Sequence, residues 1–502
     1  MFLYEILKKH QHSEKIALQS CQKSISYKSL YNKAVELSNS INKLNSGSNI
    51  GLLFPNSINY VMAYFAISLS KKIIVPIRPR LKKTELLNIV RYCELKLIIT
   101  NSDNFFLLKK LLSESDSSVS LINVETNEIY LHQNSEKETK PVFSEKETDT
   151  ALLLHTSGTS AKPKKVMLSH KNLIANLQSI IHSLQLAAED KTLIVLPLFM
   201  ASANTSQMLT HLYLGATICI MDGVFYPQKL LALLEKEKIS NFTSVPAYLN
   251  ILLDYKNIKK YKLNNLKFIC FGGAKSGENN IKRLIKKFPG IHFIHMYGQT
   301  EATTRISHLL PVYMKSKLGS VGKPIPSVQV RIVDDNFRDV TPGQTGEIIV
   351  KGDNIMQGYY KRPEETGKVV RDGWLKTGDL GRFDQDGFIY ITGRKKNIII
   401  SGGENIYPEE IEEILCSHPG VKEALVCARY DKYLNEVPMA KVVLNEGEQV
   451  SGEDLIRYCA IYLTNFKIPT EIVFTENLAK SVTGKILRVE NINEPAASGI
   501  PA

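Results

Sequence analysis

The stretch HTSGTSAKPKKVMLSH, residues 155–170, predicts a loop that binds phosphate groups. An apolar run at residues 151–154 precedes it and is typical of a buried strand, and a helical pattern with Leu173 and Leu177 follows it. Hydroxyls, backbone N–H groups and mobile lysine charges can together surround one anion. The spacing differs from the G-x-x-x-x-G-K-S/T pattern of a Walker A loop. A surface turn rich in Ser, Thr and Gly has the same composition, so the stretch alone leaves both interpretations open.

Composition and charge narrow the class of protein. The chain has 502 residues, enough for more than one domain, with 43% hydrophobic and 23% charged residues as in ordinary globular proteins. Its formal net charge of +13 suits anionic small molecules, phosphorylated cofactors or an acidic protein partner. The basic residues are dispersed, and no basic stripe carries aromatic residues, so nucleic acid is not predicted as a partner.

The cysteines and the apolar runs predict a cytoplasmic protein. The seven cysteines are scattered and include no C-x-x-C pair, which indicates a reducing compartment and argues against a metal cluster. The first residues, MFLYEILKKHQHSEK, lack the apolar core of a signal peptide. The apolar runs all fall short of the ~18 residues that a membrane span needs, so we expect no span.

Short apolar runs alternate with helical patterns through much of the chain. The runs typical of strands are residues 49–54, 72–77, 193–198, 216–221, 242–246 and 268–271. This alternation predicts a mostly parallel α/β sheet. The segment FMASANTSQM, residues 199–208, is small and polar enough to line a pocket. A loop that leads into an ordinary helix is the more usual structure for such a pattern.

Two stretches that follow such runs carry either glycines, which allow close approach of the backbone, or polar side chains. The run at residues 268–271 leads into Gly272 and Gly273, where the backbone can approach a flat ligand closely. The stretch MYGQTEATTR, residues 296–305, places Thr300 and Glu301 just after an apolar run. Carboxylate is the usual protein ligand for Mg²⁺, so this strand end is a candidate site for metal and phosphate. A single carboxylate is more often simply solvated, and the motif alone does not decide.

From residue 346 to 390 the pattern becomes rich in strands and turns, and Asp379 lies in a T-G-D turn. An aspartate held there can accept hydrogen bonds from the two hydroxyls of a ribose, although Asp also forms such turns without a ligand. GRKKN, which begins at Gly393, precedes a glycine pair and is a candidate hinge. The remainder predicts a compact α+β unit with Lys485 at the tip of a turn in SVTGKILR, and a disordered tail at residues 491–502.

Together, these stretches resemble the adenylate-forming (AMP-binding) superfamily, which includes acyl-CoA synthetases, amino-acid adenylation domains and luciferases. The resemblance covers nearly the whole chain, and all the motifs occur in the family's order. HTSGTSAKPKKVMLSH matches the phosphate loop, MYGQTE the adenine and Mg²⁺ motif, KTGD the ribose motif, GRKKN the hinge and TGKILR the mobile catalytic lysine. SGGENIYPEEIE resembles the acyl- and aryl-CoA ligase branch more than the adenylation domains of peptide synthetases.

The resemblance implies a fold and a two-step reaction. We expect a large N-terminal domain at residues 1–393, with mostly parallel sheets, helices and a small β-barrel-like part, and a small mobile α+β domain at residues 394–490. In the first step, a small carboxylic acid attacks the α-phosphate of ATP·Mg²⁺ and forms an acyl-adenylate and pyrophosphate. The small domain then rotates, and a second nucleophile takes the acyl group. This acceptor is coenzyme A or, alternatively, the phosphopantetheine of a carrier protein or an amine.

The resemblance also assigns roles by position. Nucleotide binding falls to Thr156, Ser157, Gly158, Thr159 and Lys164 at the phosphates, to Gly273, Ala274 and Tyr297 at the adenine, and to Asp379 and Arg394 at the ribose. Catalysis falls to Lys485, Thr300 and Glu301, with Glu301 also as the Mg²⁺ ligand. The acid pocket falls to Met200, Ser202, Tyr248, Gly272 and Thr303, and the hinge to Lys396.

Several residues depart from the family's pattern. Ala161 and Lys165 stand where glycines are usual in the phosphate loop. Met200 stands where many relatives have a histidine, and Ala479 where a proline is usual. Residues 199–208 lack the aspartate with which amino-acid-activating relatives hold an α-ammonium group, so we expect an acid without an α-amino group.

Two hypotheses from other classes remain at this stage. A regulatory protein could keep the fold and bind AMP without catalysis, but Lys164, Glu301, Asp379 and Lys485 are all present and favour an active enzyme. A phosphotransferase would release ADP, whereas an adenylate-forming enzyme releases AMP and pyrophosphate, so the products distinguish the two.

Overall fold

The computed structural model of the chain describes residues 1–21, 23–44, 46–115, 118–131, 149–155, 164–274, 276–401, 404–432, 434–481 and 484–488. Within these ranges the strands form four sheets. The expected class, α/β with a β-rich part and a separate C-terminal α+β domain, is confirmed. The tail at residues 491–502 lies outside the described residues.

The bounds of the elements are as follows. The strands are β1 Ile16–Gln19, β2 Ser24–Ser26, β3 Asn49–Leu53, β4 Ile73–Ile77, β5 Leu97–Thr100, β6 Ser120–Asn123, β7 Ile129–Tyr130, β8 Thr150–His155, β9 Lys165–Ser169, β10 Lys191–Ile194, β11 Thr217–Ile220, β12 Asn241–Ser244, β13 Phe268–Gly272, β14 His292–Tyr297, β15 Ser307–Leu309, β16 Lys323–Pro324, β17 Val328–Val333, β18 Gly346–Gly352, β19 Gly358–Tyr359, β20 Val370–Arg371, β21 Trp374–Phe383, β22 Ile389–Arg394, β23 Ile399–Ser401, β24 Glu404–Ile406, β25 Val421–Asp431, β26 Asn435–Leu444 and β27 Glu471–Phe474. The helices are α1 Glu5–Lys8, α2 Tyr27–Asn42, α3 Ile58–Leu69, α4 Lys83–Tyr92, α5 Ser102–Ser113, α6 His170–Leu184, α7 Thr210–Leu214, α8 Pro227–Lys236, α9 Pro246–Asp254, α10 Glu278–Lys287, α11 Pro363–Val369, α12 Pro408–Ser417 and α13 Gly452–Tyr462. A π-helix spans Ser202–Leu209, and 3₁₀ turns include Thr300–Ala302 and Lys395–Asn397.

Two large sheets build the N-terminal part. The first has the order β16-β15-β14-β13-β12-β10-β11-β1-β2, and its interior pairs from β1 to β14 are parallel. The second has the order β19-β9-β8-β4-β3-β5-β6-β7, with parallel pairs from β8 to β6. Helix α3 is buried from Tyr60 to Ser68 on all of its faces, as expected for a helix enclosed in the core rather than lying on a surface.

The third sheet is antiparallel and carries part of the predicted nucleotide site. Its order is β17-β18-β21-β20, and β22 also pairs with β21, on the edge opposite to β18. The register of this last pair places Asp379 directly opposite Arg394. The β-rich region predicted from residue 346 to 390 is therefore present, and it ends at the strand that leads into the C-terminal part.

The C-terminal part has a sheet and a hydrophobic core of its own. Strands β24, β23, β26, β25 and β27 form the sheet, and helices α12 and α13 pack on it. The core cluster includes Ile411 and Leu415 from α12, Val426 from β25 and Leu455 from α13. This arrangement matches the compact α+β unit that the pattern predicts.

Two local structures differ from the sequence interpretation. Strand β9 begins at Lys165, directly after the lysine-rich stretch, because it pairs with β8 on one side and β19 on the other. Lys165 is therefore not a loop charge: its side chain is 2% exposed, its ammonium has no hydrogen-bond partner among the described residues, and desolvation lowers its pKa. The segment predicted as a loop and ordinary helix start forms the π-helix instead.

The capping of α6 fixes the chain direction after β9. The Ser169 hydroxyl accepts from the backbone N–H of Asn172, and the Asn172 side chain accepts from the Ser169 N–H, a capping box that satisfies two helix donors. The Asn172 amide also donates to the carbonyls of Asp353 and Ile355, which ties the helix start to the loop after β18. Across the described ranges, none of the helices has the length and apolar content required to cross a membrane.

Candidate active site

The carboxyl ends of β13 and β14 form one wall of the candidate site. Gly272 and Met296 pair at these strand ends, and a Cβ on Gly272 would lie 2.2 Å from the Met296 carbonyl oxygen. Only glycine therefore allows the two strands to approach at this point. Gly273 follows in the left-handed region, with φ +82°, and a Cβ there would meet nothing within 4 Å, so the backbone after β13 is open beside the end of β14, where Tyr297 follows Met296.

A buried carboxylate links the first sheet to the third. Asp379 is 4% exposed; its Oδ2 accepts from the Tyr297 hydroxyl at 2.8 Å and its Oδ1 lies 2.7 Å from Arg394 Nε. Burial, reinforced by Asp379, raises the pKa of Tyr297, so the hydroxyl stays protonated and donates. A carboxylate has about four lone-pair sites, so Asp379 keeps acceptor capacity for further hydroxyls.

Opposite charges gather around the ring of Tyr359. Its hydroxyl donates to Glu301 Oε1 at 2.9 Å, and the Lys164 ammonium lies 4.6 Å from the ring centroid. Lys164 also pairs with Glu365 at 2.5 Å, and Arg362 bonds to the same carboxylate. The hydrogen bond from Lys164, followed by that from Arg362, lowers the pKa of Glu365. Because Glu301 belongs to the 3₁₀ turn after β14, these contacts bring Lys164 to the strand end that carries Glu301 and Thr300.

The loop after this turn is strained. Thr303 and Thr304 have φ values of +51° and +77°, a conformation that is costly for β-branched residues. Side-chain hydrogen bonds hold it: the Thr303 hydroxyl donates to the Asn354 carbonyl at 2.6 Å, and the Thr304 hydroxyl contacts Thr205 at 2.8 Å and Ser206. Strain of this kind persists where the surroundings over-determine it, often at functional sites. The loop is thereby fixed against the π-helix.

The π-helix and α9 provide the remaining residues of the predicted acid pocket. Met200 and Ser202 lie at the start of the π-helix and are half-buried, whereas Thr303 is fully buried. Tyr248, near the start of α9, stacks on Phe225 with ring centroids 4.1 Å apart. Single π-turns within helices are frequent at functional sites because they widen the helix locally.

The Lys485 segment folds as a tight turn against the N-terminal part. The Gly484 N–H bonds to the Ser481 carbonyl, and the Ser481 N–H bonds to the Lys485 carbonyl, both at 2.8 Å. A Cβ on Gly484 would lie 2.3 Å from the Cβ of Ala247, at the start of α9. Desolvation, followed by the charge of Arg394, lowers the pKa of Lys485 to about 8, although the side chain keeps solvent access. The turn therefore presents Lys485 to the Asp379–Arg394 pair.

Arg488 fastens this turn to the C-terminal part. Its guanidinium bonds to Glu412 at 2.6 Å, to Glu409 at 3.3 Å and to the Val426 carbonyl at 2.6 Å. The predicted hinge residue Lys396 lies in the 3₁₀ turn just before this domain's sheet, and desolvation with the nearby Arg394 lowers its pKa. Arg488 thus determines where Lys485 sits relative to α12.

The structure brings most of the predicted nucleotide-binding and catalytic residues together. The residues at the ends of β13 and β14 and on β21 and β22 are Gly272, Gly273, Ala274, Tyr297, Thr300, Glu301, Asp379 and Arg394. Lys164 joins Glu301 through Tyr359, and Lys485 and Lys396 lie near Arg394. Thr156, Ser157, Gly158 and Thr159 lie outside the described residues.

Comparison with known proteins identifies the family. The family model for AMP-binding enzymes matches residues 7–360, and the model for their C-terminal domain matches residues 410–485. The chain belongs to the AMP-binding enzymes. The predicted superfamily, with its acyl- and aryl-CoA ligase-like branch, is therefore confirmed.

Relatives of this AMP-binding enzyme include named CoA ligases. The chain is 31% identical to the feruloyl-CoA synthase of an Amycolatopsis species, over 93% of each chain. It is 29% identical to the o-succinylbenzoate CoA synthetase of Bacillus subtilis solved with its acyl-adenylate intermediate, with 99% and 98% of the two chains covered and a TM-score of 0.85. The same synthetase solved with ATP and a magnesium ion matches 98% of this chain and 100% of its own at 29% identity, with a TM-score of 0.84.

Some residues of the candidate site were not predicted from the sequence. Tyr359 and Glu365 contact Lys164 but lie in a stretch, GYYKRPEET, without a local signature of function. Arg488 lies within the quoted stretch SVTGKILR but had no predicted role. Only the three-dimensional contacts identify these residues.

Gly298 provides a test of the loop that follows β14. A Cβ at this position would lie 1.8 Å from the Thr304 carbonyl oxygen, so we expect Gly298→Ala to displace the strained loop and to destabilise the enzyme by about 1–3 kcal/mol. Chemical denaturation measures the effect. The matched control is Gly367→Ala on helix α11, where nothing lies within 4 Å and alanine is the better helix former. Equal stability of the two variants would contradict the proposed contact.

Proposed function

We propose that this AMP-binding enzyme is an ATP-dependent ligase that activates a carboxylic acid as an acyl-adenylate, releases pyrophosphate and transfers the acyl group to coenzyme A. The observation that carries the proposal is the position of Lys485, which faces the Asp379–Arg394 pair from the C-terminal part. A cation held at that point can stabilise negative charge on a nucleotide bound by the first domain. The names of the related CoA synthases support the same reaction.

The nucleotide would lie along the edge formed by β13, β14 and β21. Asp379 would accept hydrogen bonds from the ribose hydroxyls, and Tyr297 and the glycine-flanked backbone at Gly273 and Ala274 would face the adenine. Lys164, together with Thr156–Thr159, would contact the β- and γ-phosphates. Thr300 would contact the α-phosphate, the phosphate group that the carboxylic acid attacks.

Glu301 fits the role of a Mg²⁺ ligand. Mg²⁺ is usually bound through one or two carboxylates together with substrate phosphates, and Glu301 is a carboxylate oriented by the Tyr359 hydroxyl beside Lys164. When bound, the ion supplies positive charge that neutralises the phosphate oxygens. The related synthetase solved with ATP and magnesium supports this pairing of nucleotide and metal.

Lys485 would act in the first step. As the acid attacks the α-phosphate, charge develops on the oxygens that join the two, and a preorganised ammonium stabilises that charge more in the transition state than in the ground state. The second step requires access for the acceptor. We infer that the domain at residues 394–490 rotates about Lys396 relative to residues 1–393 to provide it.

Separate observations narrow the identity of the acceptor and the class of the carboxylic acid. Coenzyme A is favoured because the related enzymes are CoA ligases, and the net charge of +13 suits its phosphates. The π-helix carries no acidic residue that could hold an α-ammonium group, which favours an acid without an α-amino group. The seven cysteines, all of which lie within the described residues, form no disulfide bonds there, which supports the proposed cytoplasmic location.

The function is tested with a panel of carboxylic acids. We expect acid-dependent formation of AMP and pyrophosphate from ATP, followed by a thioester when coenzyme A is present. Parallel reactions contain a holo-carrier protein or amino acids as the acceptor. Release of ADP, or ATP consumption that no acid stimulates, would contradict the proposed reaction; product only with a carrier protein or an amine would replace coenzyme A as the acceptor.

The role of Lys485 is tested by substitution. We expect Lys485→Ala to reduce acid-dependent pyrophosphate exchange by roughly 10²–10³-fold, as for the loss of one preorganised donor to a developing charge. ATP binding, measured by calorimetry, should stay close to that of the wild type. Lys480→Ala is the matched control, because Lys480 lies in the same hairpin but pairs with Glu423 on the C-terminal sheet. Equal exchange rates in the two variants would remove Lys485 from the mechanism.

The lowered pKa of Lys485 predicts a pH dependence. The protonated amine is the active form, so kcat/KM for ATP in the first half-reaction should be constant below pH about 8 and fall about tenfold per pH unit above it. The comparison is Lys485→Arg, whose guanidinium stays charged throughout this range, so its lower activity should not fall. A wild-type profile that stays flat to pH 10 would show that this lysine does not titrate in the step.

A further inference from the structure

The Glu409 carboxylate lies where three segments of the chain meet. It belongs to the first turn of α12, and its side chain is 15% exposed. Its Oε1 accepts from Asn397 Nδ2 at 2.9 Å and from Arg488 Nη2 at 3.3 Å. Its Oε2 lies against the backbone of Gly393, where an added Cβ would be only 2.7 Å away. One side chain therefore contacts the end of β22, the hinge turn and the segment that carries Lys485.

The two neighbours of the hinge residue Lys396 are attached to opposite parts of the chain. On one side, the Lys395 ammonium pairs with Glu347 of β18 at 3.1 Å, in the third sheet of the N-terminal part. On the other side, Asn397 bonds to Glu409 at the start of α12. A rotation about Lys396 is therefore transmitted to α12 through Asn397, while the residue before the pivot stays held by the third sheet.

Arg488 continues this connection to the turn that carries Lys485. It follows Lys485 in the stretch TGKILR, and its other contacts, to Glu412 and to the Val426 carbonyl, are internal to the C-terminal part. Glu412 also accepts from the Val426 N–H at 2.8 Å, so this acid is fixed within its own domain. Of the two acids that bind Arg488, Glu409 is thus the one that joins it to the hinge turn.

A carboxylate suits this junction better than a neutral side chain. It has about four lone-pair sites, so it accepts from the Asn397 amide and from the Arg488 guanidinium while it compensates the arginine charge. Its place in the first turn of α12 also puts negative charge at the positive end of the helix dipole. Loss of the Glu409 carboxylate would leave Arg488 bonded to Glu412 but would disconnect the hinge turn from both.

We propose that Glu409 is a positioning residue for the first half-reaction: it holds the hinge turn and the Lys485 turn in one fixed relation. Lys485 then faces the Asp379–Arg394 pair. The inference rests on the proposed ligase function and adds a residue that acts through Lys485. Without the connection, the Lys485 turn would spend part of its time away from the pair, and the rate would fall with the fraction of correctly arranged molecules. The second half-reaction, which follows the rotation, does not use Lys485 in this position.

The experiment measures the two half-reactions separately in Glu409→Ala. We expect acid-dependent pyrophosphate exchange to fall roughly tenfold in kcat, with KM for ATP nearly unchanged, because one charge-assisted hydrogen bond is lost. Thioester formation from added acyl-adenylate and coenzyme A should stay within about twofold of the wild type, since it does not depend on the lost contact. Asn397→Ala breaks the same connection from its other end and should have the same effect. The double variant should be no slower than either single variant.

Glu410→Ala is the matched control for these measurements. Glu410 is the next residue of α12 and pairs with Lys467 at 2.8 Å inside the C-terminal part, so both half-reactions should keep their wild-type rates. If Glu409→Ala loses stability and slows both half-reactions, Asn397→Ala decides. Exchange at the wild-type rate in Asn397→Ala, or equal slowing of its two half-reactions, would overturn the proposal.

The pH profile provides a readout that a purely structural contact would not change. When Lys485 leaves the pair, it regains water and its ordinary pKa, so exchange by Glu409→Ala should stay constant to a higher pH than in the wild type before it falls. Loss of the Glu409 charge alone would act in the opposite direction, because a nearby anion raises the pKa of an amine. A fall at the same pH as in the wild type, or at a lower one, would contradict the positioning role.

Limited digestion with trypsin separates this inference from the ligase function, because it needs no substrate. The hinge turn contains trypsin sites after Lys395 and Lys396, and cleavage there follows the fraction of time for which the turn is open. We expect faster cleavage at the hinge in Glu409→Ala than in Glu410→Ala, with cleavage elsewhere unaltered, and equal rates would overturn the connection. If no acid stimulates pyrophosphate exchange by the wild type, the ligase function fails and the role in the first half-reaction fails with it, whereas faster digestion would still show the connection.

Discussion

The hydrogen-bonded ion pair of Asp379 with Arg394, completed by the Tyr297 hydroxyl, is the contact on which the arrangement of the site depends. A carboxylate that is 4% exposed would be costly without partners, and here both oxygens have one, at 2.7 and 2.8 Å. Tyr297 ends a strand of the first sheet, whereas Asp379 and Arg394 face each other on the third. The contact therefore joins the two sheets at the edge where the nucleotide would bind, and it is the last fixed point before the C-terminal part begins.

Positive charge accumulates around this contact. Arg394, Lys396, Lys485 and Arg488 influence one another, and their mutual repulsion adds to desolvation in lowering the pKa values of the two lysines. Asp379 offsets part of this charge, while Glu409 and Glu412 are engaged by Arg488. The excess suits a polyphosphate, which would relieve the repulsion on arrival. Binding of the nucleotide and seating of the C-terminal part are thus favoured by the same electrostatic change.

The sequence was sufficient for the parts of the site that are encoded locally. Loop composition and order along the chain predicted Lys164, Glu301, Asp379 and Lys485, because a strand end followed by a polar turn is a short-range pattern. Seven strands of the first two sheets, β3, β4, β8 and β10 to β13, followed from apolar runs, with bounds shifted by one or two residues, except that the run at residues 193–198 ended early, at Ile194. The family resemblance added the roles, and these remain proposals for the individual residues.

What the sequence could not predict is set by contacts between distant segments. Lys165 looks like a loop charge until β9 is seen paired between β8 and β19. The π-helix follows from packing against the strained threonine loop, which no periodicity encodes. Arg305 was simply one polar residue in MYGQTEATTR, and only the structure shows that its side chain is buried, with 2% exposed. In each case the deciding quantity is the environment of a side chain, which is a property of the fold.

The pairing of Lys164 with Glu365 has a consequence for how tightly a nucleotide can be held. When a lysine leaves a carboxylate, that carboxylate usually loses its counter-ion, and the free-energy cost of this separation lowers the affinity for the nucleotide. Here Arg362 remains paired with Glu365 after Lys164 departs, so the Glu365 carboxylate keeps a counter-ion. When Lys164 moves from Glu365 to the phosphate oxygens, the number of ion pairs stays the same. The triphosphate therefore binds a lysine that is already partly dehydrated, and the free-energy cost of separating that lysine from Glu365 is small.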